Sequence, residues 1–237
     1  MDPRTRERVE RWDTRPFAGG LSSLEALVDG EFSGAVEAGT TWLFVLNGRI
    51  VGVVGGSIDD ALESSGTTYV APDPALPLLC SMEERGGETR AKYYTNETPL
   101  SEVDRKLQGA SFTGYVELSE QVLSGDYYLV YYGGRRMAVA YIGNAQRLHT
   151  GEEAFERADD EVGIYEVIDV DVDVTDLPKS ARSQAGETTG STAETHSAEA
   201  TDTGTAGSTG ERSSPTDEAR TGRSRMRRYS NYVSSAS

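Results

Sequence analysis

Apolar positions in this chain fall into short runs whose spacing switches between a helical and a strand period, twice over and in the same order. Leu24, Leu27 and Val28 lie at i, i+3 and i+4 before Gly30, and Leu100, Val103 and Leu107 lie on one helical face before Gly109. Both read as amphipathic helices, each with a glycine available for a left-handed C-cap. Thr98 before Pro99 reads as an N-cap with its first-turn proline. Strands follow each helix. Residues 42–46 are apolar on both faces, which predicts a strand covered on both sides. Asn47-Gly48 predicts a two-residue type I′ hairpin, and Gly133-Gly134 permits the same backbone. Ser57 predicts a cap for a helix near 58–64, and Thr150 with Glu153 a capping box for 151–159. Closing strands are predicted over Thr67–Ala71 and Gly163–Val174. In the second, Ile164, Ile168, Val170, Val172 and Val174 share one face and Asp169, Asp171 and Asp173 the other.

The order repeats because the sequence repeats. Phe32-Ser33-Gly34-Ala35-Val36-Glu37 is matched by Phe112-Thr113-Gly114-Tyr115-Val116-Glu117, 80 residues later. The Gly48-Arg49 and Gly134-Arg135 turns are 86 apart, so the second copy has a longer first turn, Ser119 to Asp126. The expected fold is α+β, built from internally duplicated α-β-β-β-α-β units. It would form one largely antiparallel sheet, or two pseudo-symmetric sheets packed through their central strands. Ala75–Arg85 reads as a helix and Thr89–Thr95 as a strand between the copies.

Composition changes along the chain. Of its 237 residues, 1–178 hold 15 basic against 32 acidic side chains and are expected to form one acidic domain. Residues 179–218 are Ser, Thr, Gly, Ala and Glu with alanine as almost the only apolar type. They cannot offset the entropy of ordering themselves and read as a disordered linker. Residues 219–237 form a basic Arg/Tyr tail with Arg220, Arg223, Arg225, Arg227 and Arg228, which could be the start of a further element.

The bases are 20 arginines and only 3 lysines. Acid excess with few lysines is the habit of proteins that work in concentrated salt, where self-repulsion is screened. The same field repels nucleic acid and anionic membrane. No run of 18 apolar residues occurs, so no membrane-spanning helix is expected. The charged start Met1–Trp12 has no apolar stretch of the secretory type, and a cytoplasmic location follows.

Catalytic chemistry finds little material. With one cysteine and two histidines, neither a disulfide nor a multi-ligand metal centre is expected. His196 falls in the linker, His149 reads as a surface-loop side chain, and Cys80 sits in an apolar run as a small core residue. Asp169-x-Asp171-x-Asp173-x-x-Asp176 suggests a calcium loop, but Val174 stands where that loop needs glycine. Gly55-Gly56-Ser57 lacks the lysine and spacing of a phosphate loop. Arg90-x-Lys92 forms a basic stripe that neutralises neighbouring acids or holds an anion. No catalytic residue, cofactor or metal ligand is therefore assigned. One strand is unusual: Tyr127, Tyr128, Tyr131 and Tyr132 flank Leu129-Val130, with Arg135 and Arg136 beyond the turn and Arg49 as their first-copy counterpart. Packing explains it, or an aromatic partner surface. Tyr128, Tyr132, Arg135 and Arg136 are the candidate surface. Arg220, Arg223, Arg225, Arg227 and Arg228 are the candidate nucleic-acid contacts.

Phe112–Glu117 and Leu129–Arg135, followed by a helix carrying Ala154 and Phe155, resemble the PATAN-like domains of prokaryotic signalling proteins over about 45 residues. Ala91–Asn96 and Phe112–Glu120 also resemble uncharacterised haloarchaeal domains, some labelled transcriptional regulators. That resemblance implies a linker and a C-terminal domain in longer relatives. No helix-turn-helix or zinc finger is readable in 1–178. The sequence thus points to a non-catalytic regulatory or interaction module that binds a protein partner or itself. DNA-associated transcriptional regulation through the basic C-terminal segment or a further C-terminal domain is the alternative, and an enzyme of unrecognised type the second. The acidity itself is testable: the melting temperature should climb between about 0.1 M and about 2 M KCl, as the screening length shrinks from about 10 Å to below about 3 Å. A melting temperature indifferent to salt contradicts the solvent reading.

Overall fold

The computed structural model describes residues 1–175, which lie within one unit, Met1–Gly186. The linker and Arg220–Arg228 lie outside the described residues. The first half runs α1 (Pro3–Val9), β1 (Asp13–Phe17), α2 (Gly20–Asp29), β2 (Gly34–Ala38), β3 (Thr41–Leu46), β4 (Arg49–Val54), α3 (Ile58–Leu62) and β5 (Gly66–Val70). The second runs α4 (Ala75–Arg85), β6 (Glu88–Tyr94), α5 (Leu100–Gly109), β7 (Gly114–Glu120), β8 (Gly125–Tyr132), β9 (Arg135–Ile142), β10 (Arg147–Thr150), α6 (Gly151–Asp159) and β11 (Ile164–Asp169). Each half forms its own sheet, in the orders β1-β5-β2-β3-β4 and β6-β11-β7-β8-β9-β10. Every pairing is antiparallel. The expected α+β class is what is found, with two sheets rather than one; they do not pack strand on strand as expected, because α4 lies between them.

The repeating unit is longer than the sequence pattern suggests. Ala75–Arg85 and the strand after it do not separate the copies. They open the second one, and α1 and β1 are their counterparts at the start of the first. Only β10 has no partner in the first half. Local geometry repeats at the same positions. The Phe32 N–H donates to Leu27 O at 3.0 Å, and the Phe112 N–H to Leu107 O at 3.1 Å. The Gly48 N–H donates to Phe32 O at 2.8 Å, and the Gly134 N–H to Phe112 O at 2.7 Å. Each hairpin turn is thereby tied to the end of the helix before it.

The caps differ from expectation. Gly30 and the end of α5 are not left-handed; Glu31 (φ 49°) and Ser111 (φ 53°) are. With the bonds from Phe32 and Phe112, both ends are Schellman caps carrying a non-glycine residue. Thr98 does not cap α5, whose N-cap position is Pro99, and Thr150 makes no side-chain cap for α6. Glu153 instead meets His149 and Arg157. Ser57 does cap α3, reciprocally with Asp60. Both turns have positive φ at both central residues, 48° and 73° at Asn47-Gly48 and 57° and 82° at Gly133-Gly134, as type I′ requires.

Three apolar clusters define the layers. Leu43, Val45, Val36 and Ile50 face outward from the first sheet under α2 and α3. Leu129, Tyr131, Tyr127 and Val116 face outward from the second under α5 and α6. Between the sheets lies the largest cluster, where Trp42, Phe44 and Val51 of one sheet and Tyr128, Val130 and Val139 of the other close on α4. Alternation along β3 therefore buries both faces, as expected.

Helix α4 is apolar nearly all round, which fits a helix enclosed by other elements. Ala75 to Met82 are all buried. Pro77 is tolerated because it lies in the first turn, where no intrahelical N–H is needed. The Ser81 hydroxyl donates to Val51 O at 2.7 Å, and a Cβ on Gly52 would come within 2.2 Å of it. Glycine at 52 is what lets the helix lie against β4. The chain leaves β11 at Asp169, earlier than expected, but Val170, Val172 and Val174 keep packing on the central cluster. Thr175 then bridges to Ile50, joining the last described segment to the opposite sheet. No described helix is long and apolar enough to cross a membrane.

If α4 is the shared core, Leu79→Ala should lower the unfolding free energy by about 2–5 kcal/mol, read by chemical denaturation at constant salt. A loss below about 1 kcal/mol would fit a peripheral helix instead.

Candidate binding cleft

The aromatic strand divides as its alternation requires. Tyr127 and Tyr131 point to α5 and α6, while Tyr128 points to the central layer and is 0% exposed. Tyr128 is therefore not part of any surface; it is core. Tyr132, at the strand end, is 41% exposed.

Arg136 is also not a free surface group. Its guanidinium donates to Asp104 at 2.9 Å and Glu152 at 2.6 Å, and it stacks 3.6 Å from the Phe155 ring centre. Asp104 is buried and also accepts from the Tyr131 hydroxyl at 2.8 Å and the Gln108 amide at 2.7 Å. Burial, reinforced by this carboxylate, raises the Tyr131 phenol above its usual range. The cluster fastens β8, β9, α5 and α6 together. Sequence reading missed Asp104, although its place one residue beyond Val103 on an apolar helical stripe was a signal.

What remains of the candidate surface, Tyr132 and Arg135, pairs across the Gly133-Gly134 turn. The equivalent pair in the first half is Leu46 and Arg49, across Asn47-Gly48. Both turns border one cleft of about 590 Å³. Its apolar wall is drawn from both sheets: Leu46 and Val51 on one side, Met137 and Ala138 on the other, with Val174 of the exit segment. Arg49 and Arg135 line it from equivalent positions of the two halves. Arg135 is exposed and has no ion-pair partner among the described residues.

Asp73 and Pro74 close the cleft at the start of α4. The helix terminus supplies no free donors there. Asp73 Oδ1 accepts the Ala75 N–H at 2.8 Å, Asp73 O accepts the Leu76 N–H at 3.1 Å, and Pro77 has none. Positive charge at that end of the cleft therefore comes from arginines; Gly151, the first residue of α6, lines another part of it.

The other candidates resolve into structure. Lys92 meets Glu120 at 2.8 Å and Glu166 at 2.9 Å, and Arg90 meets Asp169 at 2.9 Å, so the basic stripe neutralises acids. Arg85 meets the Asp173 carboxylate at 2.6 Å and donates to the Asp171 backbone carbonyl at 2.5 Å, so Asp169 and Asp173 of the aspartate row are paired with arginines. No group of three or more potential metal ligands occurs among the described residues. His149 is not in a loop. It lies on β10 opposite Ala140, its Nδ1 2.9 Å from Glu153. Cys80 is fully buried, and burial pushes its thiol up to about 12, outside the range of a working nucleophile. A second unforeseen pair ties α1 to α4. Arg8 donates to Glu83 at 2.6 Å, with its guanidinium 5.2 Å from the Tyr128 ring centre and 5.4 Å from that of Tyr141. Thr5, Val9 and Trp12, spaced as one helical face, were the available sign of α1.

Compared with models of known families, curated proteins and solved structures, the chain matches none.

The Asp104 cluster gives a stability test. Asp104→Ala leaves Arg136 and Tyr131 without their shared acceptor and should cost about 3 kcal/mol or more, whereas Tyr131→Phe should cost about 1 kcal/mol. Equal losses by denaturant titration would show that the carboxylate is not the hub.

Proposed function

We propose that this domain is a non-catalytic regulatory module of a salt-adapted cytoplasmic protein, and that it engages a protein partner or a second copy of itself at the cleft between its halves. One observation carries the reading. In a domain with 32 acids and 15 bases over residues 1–178, the duplicated hairpins bring Arg49 and Arg135 to the same cleft. Neither position serves the core. Exposed tyrosine and arginine are also the residue types that carry most interface energy.

The exit of the chain supports the same reading. Val174 lines the cleft and Thr175 is pinned to Ile50 beside it. The last described residues therefore lie beside the cleft. The arginines of the DNA-binding alternative lie outside the described residues.

The double variant Tyr132→Ala/Arg135→Ala tests the proposal at working salt. Both side chains are exposed, so the melting temperature should hold. Self-association by analytical ultracentrifugation, or recovery of a defined partner from extract, should fall by about tenfold or more, the scale of a lost hot spot. Unchanged recovery and unchanged sedimentation would remove this cleft as the working surface.

A further inference from the structure

We infer that the cleft is a ligand site for a small organic anion, a carboxylate or phosphate carried on an apolar body, and that its occupancy controls the partner surface at the rim. The inference rests on the reading of the cleft as the working surface.

Shape and chemistry point to such a ligand. A volume of about 590 Å³ falls in the range of small-molecule pockets, roughly 300–1,000 Å³. The wall is aliphatic where the two sheets meet, at Leu46, Val51, Met137 and Val174, and the arginines come from the two hairpin ends. An apolar body removes that wall from water while an anionic head reaches a guanidinium, which matches carboxylate and phosphate geometry. Arg135 is the principal contact. Tyr132, across the turn from it, offers a hydroxyl and a ring edge. Asp73 is the one acid in the lining, and its Oδ1 is already committed to the Ala75 N–H.

A contrast with another arginine-lined cavity sharpens the assignment. A pocket of about 340 Å³ lies beside α1 and carries Arg4, Arg8 and Arg11. Each of those arginines faces an acid: Asp126 at 3.9 Å, Glu83 at 2.6 Å and Glu7 at 3.4 Å. That pocket is compensated internally. In the cleft between the hairpins, Arg136 is held by Asp104 and Glu152, whereas Arg135 meets no acid among the described residues.

Occupancy also bears on the fold. The ligand would touch both halves and the exit segment at Val174 at once. Partner access at Tyr132 would then depend on whether the cleft is filled.

Calorimetric titration of the full chain, at fixed high ionic strength, decides the matter. The probes are 4-phenylbutyrate, phenyl phosphate, the uncharged 4-phenylbutanol and inorganic phosphate. The two aromatic anions should bind, with inorganic phosphate and the alcohol weaker by about tenfold or more, and Arg135→Ala should weaken the anions by a similar factor. Leu46→Asp, which places a like charge in the cleft wall, should abolish binding of both anions. The inference is overturned by an absence of binding, by equal binding of alcohol and anions, or by wild-type affinity in Arg135→Ala. Partner recovery measured on the Tyr132→Ala/Arg135→Ala protein separates the two readings. If recovery falls while calorimetry is silent, the partner surface stands and the small anion is rejected. If neither responds, both are rejected.

Discussion

The enclosure of α4 between two sheets is the constraint on which the rest of this architecture depends. A helix that buries every residue from Ala75 to Met82 has no face to give to water. It needs apolar neighbours on both sides, and the sheets supply them with Trp42, Phe44 and Val51 on one side and Tyr128, Val130 and Val139 on the other. The sheets in turn are held apart by the helix, so each must bury its outer face separately, under α2 and α3 or under α5 and α6. The cleft follows from the same constraint. Where α4 begins, at Pro74, the spacer ends while the hairpins continue, and a gap lined by Leu46, Val51 and Met137 remains.

Polar groups inside this arrangement fix orientation more than they add stability. Arg8 and Glu83 join the two central helices, and the ring faces of Tyr128 and Tyr141 flank the guanidinium. Asp104 gathers Tyr131, Arg136 and Gln108 on the outer side of the second sheet. Replacing such networks by apolar groups can be neutral, but breaking one member leaves a buried charge or hydroxyl unpaired. They therefore select one packing of the layers from several that hydrophobicity alone would allow. Most remaining charges are exposed acids, whose mutual repulsion is set by the solvent and not by the fold.

Local pattern carried much of the fold. The paired Phe-[Ser/Thr]-Gly-x-Val-Glu segments, the two type I′ turns and the Ser57 cap were readable because each depends on a few adjacent residues. What depends on distant residues was not. The strand Asp13–Phe17 is exposed at four of its five positions, so it lacks alternation and is defined only by pairing with Gly66–Val70. Helix α1 is one short turn pattern, stabilised by the core it meets. Gly30 looked like a left-handed cap, yet the left-handed residue is Glu31, because the bond from the Phe32 N–H to Leu27 O sets where the helix closes. At the candidate surface, alternation correctly separated Tyr128 from Tyr127. It could not tell whether the inward side of the strand faced solvent or a second sheet. For Arg136, neighbouring sequence suggested a surface group, and only the fold brings Asp104, Glu152 and Phe155 to it.

Duplication also explains why the cleft has the character it does. Two equivalent hairpins ending on one gap put an arginine after the turn twice, at Arg49 and Arg135. The flanking residues break that symmetry. Leu46 precedes one turn and Tyr132 the other, Asn47 and Gly133 differ at the first turn residue, and Arg49 and Arg135 differ in surroundings. A perfectly symmetric cleft would accept an unsymmetric ligand in two orientations with equal affinity. Here Leu46 flanks one turn and the Tyr132 phenol the other, so the inferred ligand would have one favoured orientation. The exit segment adds a further asymmetry, since Val174 lines the cleft and no described residue of the first half follows β5 in the same way. The inferred ligand would cover a wall that Val174, in the last described segment, also lines.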